Sequence, residues 1–336
     1  MLRLSRDSGV IYRDLPKQSR RLDARSPRYR FDIEADVRWD LLGAAGLHVV
    51  PSMVDGAGID SAILRSNPEV GSLFDWGYGL AVCRVFVALE EVILDFERRA
   101  RSAIAATKSL TMLCEDEVKH MDLFRRYARH LERRHPERMA AFERAFAQAA
   151  RGLASVGEGL HPPESPAGHY VFWVNTLLFE ELTVYYHERL GRPPEDALVQ
   201  PAWRSVHAAH RLEELQHLVT DEHYLEALDL GPEERDELSQ MTALLVVKHF
   251  NTTLFPFAVA LGVVEETHPA LPQLRSSVPT TRTPLFREVI TGPCLKRTRR
   301  NAPAVDRLGT SSSEPLSPLP VGTALNRLSS QPGETR

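Results

Sequence analysis

Two Glu-x-x-His motifs constrain this chain more than anything else in it: Glu117-Val-Lys-His120 and Glu214-Leu-Gln-His217. Each follows a glutamate doublet set in an apolar run, Glu90-Glu91 and Glu180-Glu181. In an α-helix, residues three apart share a face, so each motif aims a carboxylate and an imidazole in one direction. Ionisable groups that face inward from apolar stripes need compensating charge, because leaving them buried and unpaired is very costly.

Four antiparallel helices bearing Glu, Glu-x-x-His, Glu and Glu-x-x-His form the carboxylate-bridged di-metal core of ferritin-like bundles. The fold expected is therefore all-α, a ferritin-like helical bundle with a four-helix di-metal core plus extra helices. The intervals agree with this. Glu180 lies ten residues, or ~15 Å of helix, before Leu190, the turn at Gly191–Asp196 follows, and Glu214 lies ten residues after Arg204. Glu180 and Glu214 then sit at one height in an antiparallel hairpin. In the first half the midpoint between Glu90 and Glu117 falls at Ala103-Ile104, where Ser102 to Lys108 lacks a strong apolar stripe, although no Gly or Pro marks a turn. Leu89–Glu97 aligns with Phe179–His187, a weak internal repeat that suggests two pseudo-symmetric hairpins.

Helices are expected over about 75–102, 107–134, 137–151, 169–190 and 202–228, with one or two more over 233–262. Pro, Gly and composition place the breaks at His135-Pro136, Gly157–Gly168, Gly191–Asp196 and Gly231-Pro232. Residues 1–30, rich in Arg and Ser, read as a disordered arm. Residues 31–268 read as the di-metal domain, with its core at 75–260 and an irregular lead-in at 31–75. Residues 269–336, rich in Pro, Ser and Arg, read as a disordered tail. Its basic cluster, Lys296-Arg297 and Arg299-Arg300, reads as a solubility feature.

Bulk properties exclude several classes. The formal charge of -4 and pI near 6.4 give no nucleic-acid footprint. Three scattered cysteines, Cys83, Cys114 and Cys294, make neither a disulfide framework nor a thiolate zinc site. No apolar h-region follows Met1, and no run reaches the ~18 apolar residues of a membrane span. A cytoplasmic location with no membrane partner is the expectation.

The candidate ligands are Glu90, Glu117, His120, Glu180, His210, Glu214 and His217. Glu90 shares its face with Cys83, Phe86, Ile93 and Leu94, whereas Glu91 shares its face with Arg84, Asp95 and Arg98. The second doublet discriminates less, so Glu91 and Glu181 remain as alternates one residue out of register. His210 precedes Glu214 by one turn and extends the stripe to H-x-x-x-E-x-x-H. Asp116 and Glu213 are candidates to hold the second nitrogens of His217 and His120. Four glutamates and two divalent cations balance in charge, and a carboxylate–imidazole set without thiolate favours iron, with manganese as an alternative.

His210-Arg-Leu-Glu-Glu-Leu-Gln-His217, Asp116-Glu-Val-Lys-His120 and the upstream glutamates together resemble the p-aminobenzoate N-oxygenase family of di-iron enzymes. The resemblance covers about residues 75–260, departs from the family in a short first interval, and has the third histidine as its most specific element. It implies two iron ions, O2 as co-substrate, and oxygen transfer to the nitrogen of an arylamine-like substrate, making the chain a di-iron monooxygenase. Electrons would come from an external reductase or ferredoxin, since no flavin or nicotinamide fingerprint occurs. Phe86, Phe172, Trp173 and Tyr185 are candidates to shape a substrate pocket. The alternatives are a di-iron C–H hydroxylase and a ferritin-like ferroxidase. A homodimer is compatible with either bundle.

Overall fold

The computed structural model describes Tyr12 and residues 30–100, 108–157, 165–269 and 283–310. The described part is all-α. Two isolated bridges, Tyr12 to Leu228 and Leu47 to Val199, are the β pairings among the described residues. After a lead-in come α1 (Pro51–Gly56) and α2 (Ser61–Ser66), then six long helices: α3 (Pro68–Ala100), α4 (Lys108–Arg134), α5 (Met139–Gly157), α6 (Pro166–Leu190), α7 (Pro201–Ala227) and α8 (Pro232–Thr267). Three short helices follow: α9 (Pro284–Thr291), α10 (Lys296–Asn301) and α11 (Asp306–Thr310).

Proline sets most of these starts. Pro51, Pro166, Pro201, Pro232 and Pro284 occupy the first turns of their helices, where a missing N–H costs nothing and φ is already helical. Gln200 caps α7 through its side chain, which accepts from the Trp203 N–H. Gly191 ends α6 and Gly231 precedes α8. α3 begins at Pro68, seven residues before the expected start at 75, and α8 is a single helix running through Pro256.

α3 packs along α4, and α6 along α7; α4 and α7 then meet, and α8 lies across α3, α5 and α6. The apolar interior is continuous, from Phe74, Leu80 and Phe96 on α3 through Leu123 and Phe124 on α4 to Trp203 and Val206 on α7. The lead-in is pinned to this body at His48. Asp75 accepts from the His48 and Val49 N–H groups (2.6 and 3.2 Å) and pairs with His48 Nδ1 at 2.6 Å, while Nε2 faces the Tyr127 hydroxyl at 3.1 Å. Gly79 makes room for that ring, since a Cβ there would fall 2.7 Å from His48 Cγ.

Two expectations need correction. Residues 283–310 do not form a tail: Leu285, Phe286, Val289 and Ile290 are buried, and α10 packs on α6 and α7. Leu285, Phe286, Val289 and Ile290 do recur at helical spacing, but only over one eight-residue helix set in a stretch rich in Pro, Ser, Thr and Arg. The basic cluster is not a solubility device either, because Arg297 and Arg300 pair with Glu222 on α7. Within the expected arm, Tyr12 and Arg30 also contact the bundle, through His169 and Asp116 respectively. The arm reading of 1–11 and 13–29, the tail reading of 270–282 and 311–336, and the expected turns near 103 and at 158–164 lie outside the described residues.

Candidate metal centre

α3, α4, α6 and α7 each bring acidic or imidazole side chains to one point in the core. Glu90, Glu117, His120, Glu180, His210, Glu214 and His217 are each 4% exposed or less. They form three overlapping groups with donor atoms within 4.8 Å of one another: Glu90, His120, His210 and Glu214; Glu117, His120 and His217; Glu180, Glu214 and His217. Glu117 lies 3.0 Å from His120 Nδ1 and 3.5 Å from His217 Nδ1. Glu214 lies 3.6 Å from His120 Nδ1, 3.2 Å from His217 Nδ1, and against His210 Nε2. These two motif glutamates therefore stand between the halves of the cluster. Glu90 reaches His210 and His120 on one side (3.5 and 3.8 Å), and Glu180 reaches His217 on the other (3.5 Å).

The doublets resolve by helix phase. Glu90 points into the cluster, while Glu91 is exposed and pairs with Arg125 at 2.6 Å. Glu180 points inward; Glu181, one residue round the helix, accepts from the Arg297 and Thr298 N–H groups at 2.7 and 2.8 Å. Behind the imidazoles, Glu213 lies 2.9 Å from His120 Nε2, and Asp116 lies 3.6 Å from His217 Nε2, longer than a direct hydrogen bond.

The electrostatics describe a site short of positive charge. Burial pushes the Glu90 and Glu214 carboxyls up, and for Glu90 the neighbouring Glu117 adds to the shift. Burial alone would depress His120 and His217, but the carboxylates around them outweigh it and hold both well above the ordinary imidazole range. His120 shows why: carboxylate oxygens face both of its ring nitrogens, so without another cation the ring itself must carry charge. His210 behaves oppositely. Burial, reinforced by His120, lowers it to about 3, leaving a neutral imidazole available as a donor.

The donor set fits divalent cations. Glu117 Oε1, Glu180 Oε2 and His210 Nε2 are buried with no hydrogen-bond partner among the described residues. Buried polar atoms are normally paired, and a bound cation would satisfy such lone pairs. Four carboxylates and three imidazoles suit iron or manganese better than a thiolate-seeking metal.

Phe86 and Phe124 seal the cluster near His210, with ring centroids 5.2 and 5.0 Å from it and 4.4 Å from each other. Of the other expected pocket residues, Phe172 stacks on Phe96, and Trp173 stacks on Tyr224 and donates to the Tyr12 hydroxyl. The Tyr185 hydroxyl is buried without a hydrogen-bond partner among the described residues. A cleft of about 310 Å3 lies elsewhere, lined by His48, Asp75, Trp76, Arg65 and Arg134 but by none of the seven cluster residues. Asp221 was not foreseen. It lies one turn beyond His217, fully buried, and its carboxyl is held far above the ordinary range by burial, opposed by His217 and reinforced by Glu117 and Glu214. The sequence signal was present, since His210, Glu214, His217 and Asp221 recur at steps of four, three and four.

In comparisons with known proteins, no family model matches the chain, and neither a curated protein nor a solved structure matches it.

Proposed function

We propose that this chain is a non-haem di-iron oxygenase with a ferritin-like core, acting on the nitrogen of an amine, with an arylamine as the model substrate. The observation that carries the reading is the buried convergence of four carboxylates and three imidazoles from four helices, a donor set that could hold metal ions. The resemblance of the His210–His217 and Asp116–His120 segments to p-aminobenzoate N-oxygenases supplies the reaction class.

Glu90, Glu117, His120 and His210 would hold one ion, and Glu180, Glu214 and His217 the other, with Glu117 and Glu214 placed to serve both. Bound there, the iron pair would supply reductive activation of O2. The chain does the rest. Four glutamates offset the charge of two divalent ions, which lowers the cost of burying them. Glu213, 2.9 Å from the outer nitrogen of His120, would orient that ring, and Asp116 faces the outer nitrogen of His217 at 3.6 Å. Phe86 and Phe124 keep water from the His210 side. Taking an amine to a hydroxylamine consumes O2, two electrons and two protons and releases water, so an external electron donor is required.

The test is to load the metal-free protein with Fe2+ without oxygen, add an arylamine, a chemical reductant and O2, and follow the product by mass spectrometry. The expected result is two iron ions per chain and an N-hydroxylated product containing one atom from O2. Two bound irons with O2 consumed but no oxygenated amine would favour ferroxidase chemistry instead. A chain that takes up no iron would remove the reading altogether.

A further inference from the structure

The imidazoles of His120 and His217 are each backed by a carboxylate, and both carboxylates are held from outside the four helices by two consecutive residues, Arg30 and Phe31, where the arm meets the lead-in. Arg30 donates through Nε and a terminal nitrogen to Asp116 Oδ1 at 3.2 and 3.1 Å, and to Glu115 Oε2 at 2.8 Å. The next residue, Phe31, donates its backbone N–H to Glu213 Oε1 at 3.1 Å. Its ring lies parallel to His120, with centroids 6.2 Å apart and planes within 4°. Lys119 ties the two halves together. Its Nζ bonds Glu213 Oε1 and the Phe31 carbonyl oxygen, stands 3.5 Å from Asp116 Oδ1, and lies 4.4 Å over the Phe31 ring.

A carboxylate behind a metal-bound imidazole orients the ring only if its own rotation is fixed. Glu213 presents Oε2 to His120 and has Oε1 occupied by Phe31 and Lys119. Asp116 presents Oδ2 to His217 and has Oδ1 occupied by Arg30. Without the Arg30 and Phe31 donors, each carboxylate would lose a bond that fixes its rotation toward its imidazole. Phe31 meets the cluster through its stack on His120, and Arg30 and the Phe31 N–H reach it through Asp116 and Glu213.

We propose that Arg30 and Phe31 form a clasp that completes the metal centre, so that metal retention and docking of the lead-in are coupled. Arg30 is a positioning residue for the His217 side and the Phe31 N–H for the His120 side. The inference rests on the metal-binding reading above. Coupling of this kind is reciprocal: the clasp slows metal loss, and bound metal holds the clasp shut.

The experiment uses the full chain loaded with Fe2+ or Mn2+. Metal loss to a chelator is followed for wild type, Arg30→Ala, Arg30→Lys, Phe31→Pro (which deletes the N–H) and Phe31→Leu (which keeps it). The expected result is loss of about one metal per chain, about 10- to 100-fold faster, in Arg30→Ala and Phe31→Pro. Arg30→Lys should recover part of the retention, and Phe31→Leu should resemble wild type more than Phe31→Pro does. In parallel, trypsin should cut wild type after Arg30 more slowly with metal than without. Arg30 is a surface residue, so circular dichroism should show both Arg30 variants folded. A wild type that holds two metals beside an Arg30→Ala that holds them as firmly, with trypsin cleavage indifferent to metal, overturns the clasp and leaves the metal centre standing. A wild type that binds no metal overturns both.

Discussion

Asp221 follows His217 by one helical turn on α7, is fully buried, and has neither carboxylate oxygen hydrogen-bonded among the described residues. An unsatisfied buried group costs about 1–3 kcal/mol. Replacing it with leucine should therefore stabilise the metal-free chain by about that amount near neutral pH. The sign follows from its raised pKa. The stability this group contributes is present below the ordinary carboxylate range and is lost as pH rises toward the folded-state value. The advantage of Asp221→Leu should thus grow as pH rises from about 4. Urea unfolding of metal-free wild type and variant at several pH values measures it. A variant less stable than wild type at neutral pH would contradict the account.

Metal stoichiometry should separate the members of each doublet. Glu91 is exposed and paired with Arg125, so Glu91→Ala should retain two metals, whereas Glu90→Ala should lose one. Glu117 and Glu214 stand between both halves, and alanine at either should lose both. Added metal should also raise the wild-type melting temperature, since a ligand at 100 times its Kd stabilises by about 2.7 kcal/mol. Elemental analysis of the purified variants decides the pattern; full occupancy in Glu214→Ala would refute it.

His169 accepts at Nδ1 from the Tyr12 hydroxyl (2.7 Å), because that hydroxyl already accepts from Trp173 Nε1 at 2.7 Å. The arrangement requires a neutral ring, and burial lowers His169 to about 4. A depressed histidine contributes stability above the unfolded value of about 6.5. That stability falls as pH drops from there through about 4, because the unfolded chain takes the proton first. His169→Gln should therefore show a shallower loss of stability than wild type between about pH 6.5 and 4. Equal slopes in urea titrations would count against a neutral His169.

Glu181 anchors residues 283–310 by accepting two backbone N–H groups, and Glu222 takes Arg297 and Arg300. Glu181→Ala would leave the buried Thr298 N–H without this acceptor, and should destabilise the fold by about 1–3 kcal/mol. Glu222 is 7% exposed overall, and Glu222→Ala should mainly loosen α10. Hydrogen exchange over 284–301 in each variant is the measurement; unchanged protection in both would show that apolar packing alone holds the segment.

The long helices were legible because their signals are local. Apolar periodicity, Pro at the starts and Gly at the ends of α6 and before α8 depend only on neighbours in sequence. The inward aim of Glu90 over Glu91 was legible for the same reason, since helix phase puts it beside Phe86 and Ile93. The C-terminal helices were missed because the apolar positions of 284–301 are confined mainly to one eight-residue helix inside a stretch dominated by Pro, Ser, Thr and Arg, and α10 is held by contacts with α6 and α7. The Arg30–Asp116 and Phe31–Glu213 contacts were equally invisible, joining residues 86 and 182 positions apart.

Which side chains can share a face was thus decided by the sequence, through the fixed geometry of the helix. Which faces meet, at what height, and what is laid over them was decided by the tertiary structure. The physical reason is that a carboxylate finds its partner by distance in space, and chain order sets that distance only within a few turns of one helix. The convergence of seven donors from four helices, the solitary burial of Asp221 and the grip of the lead-in on Asp116 and Glu213 all belong to that second level.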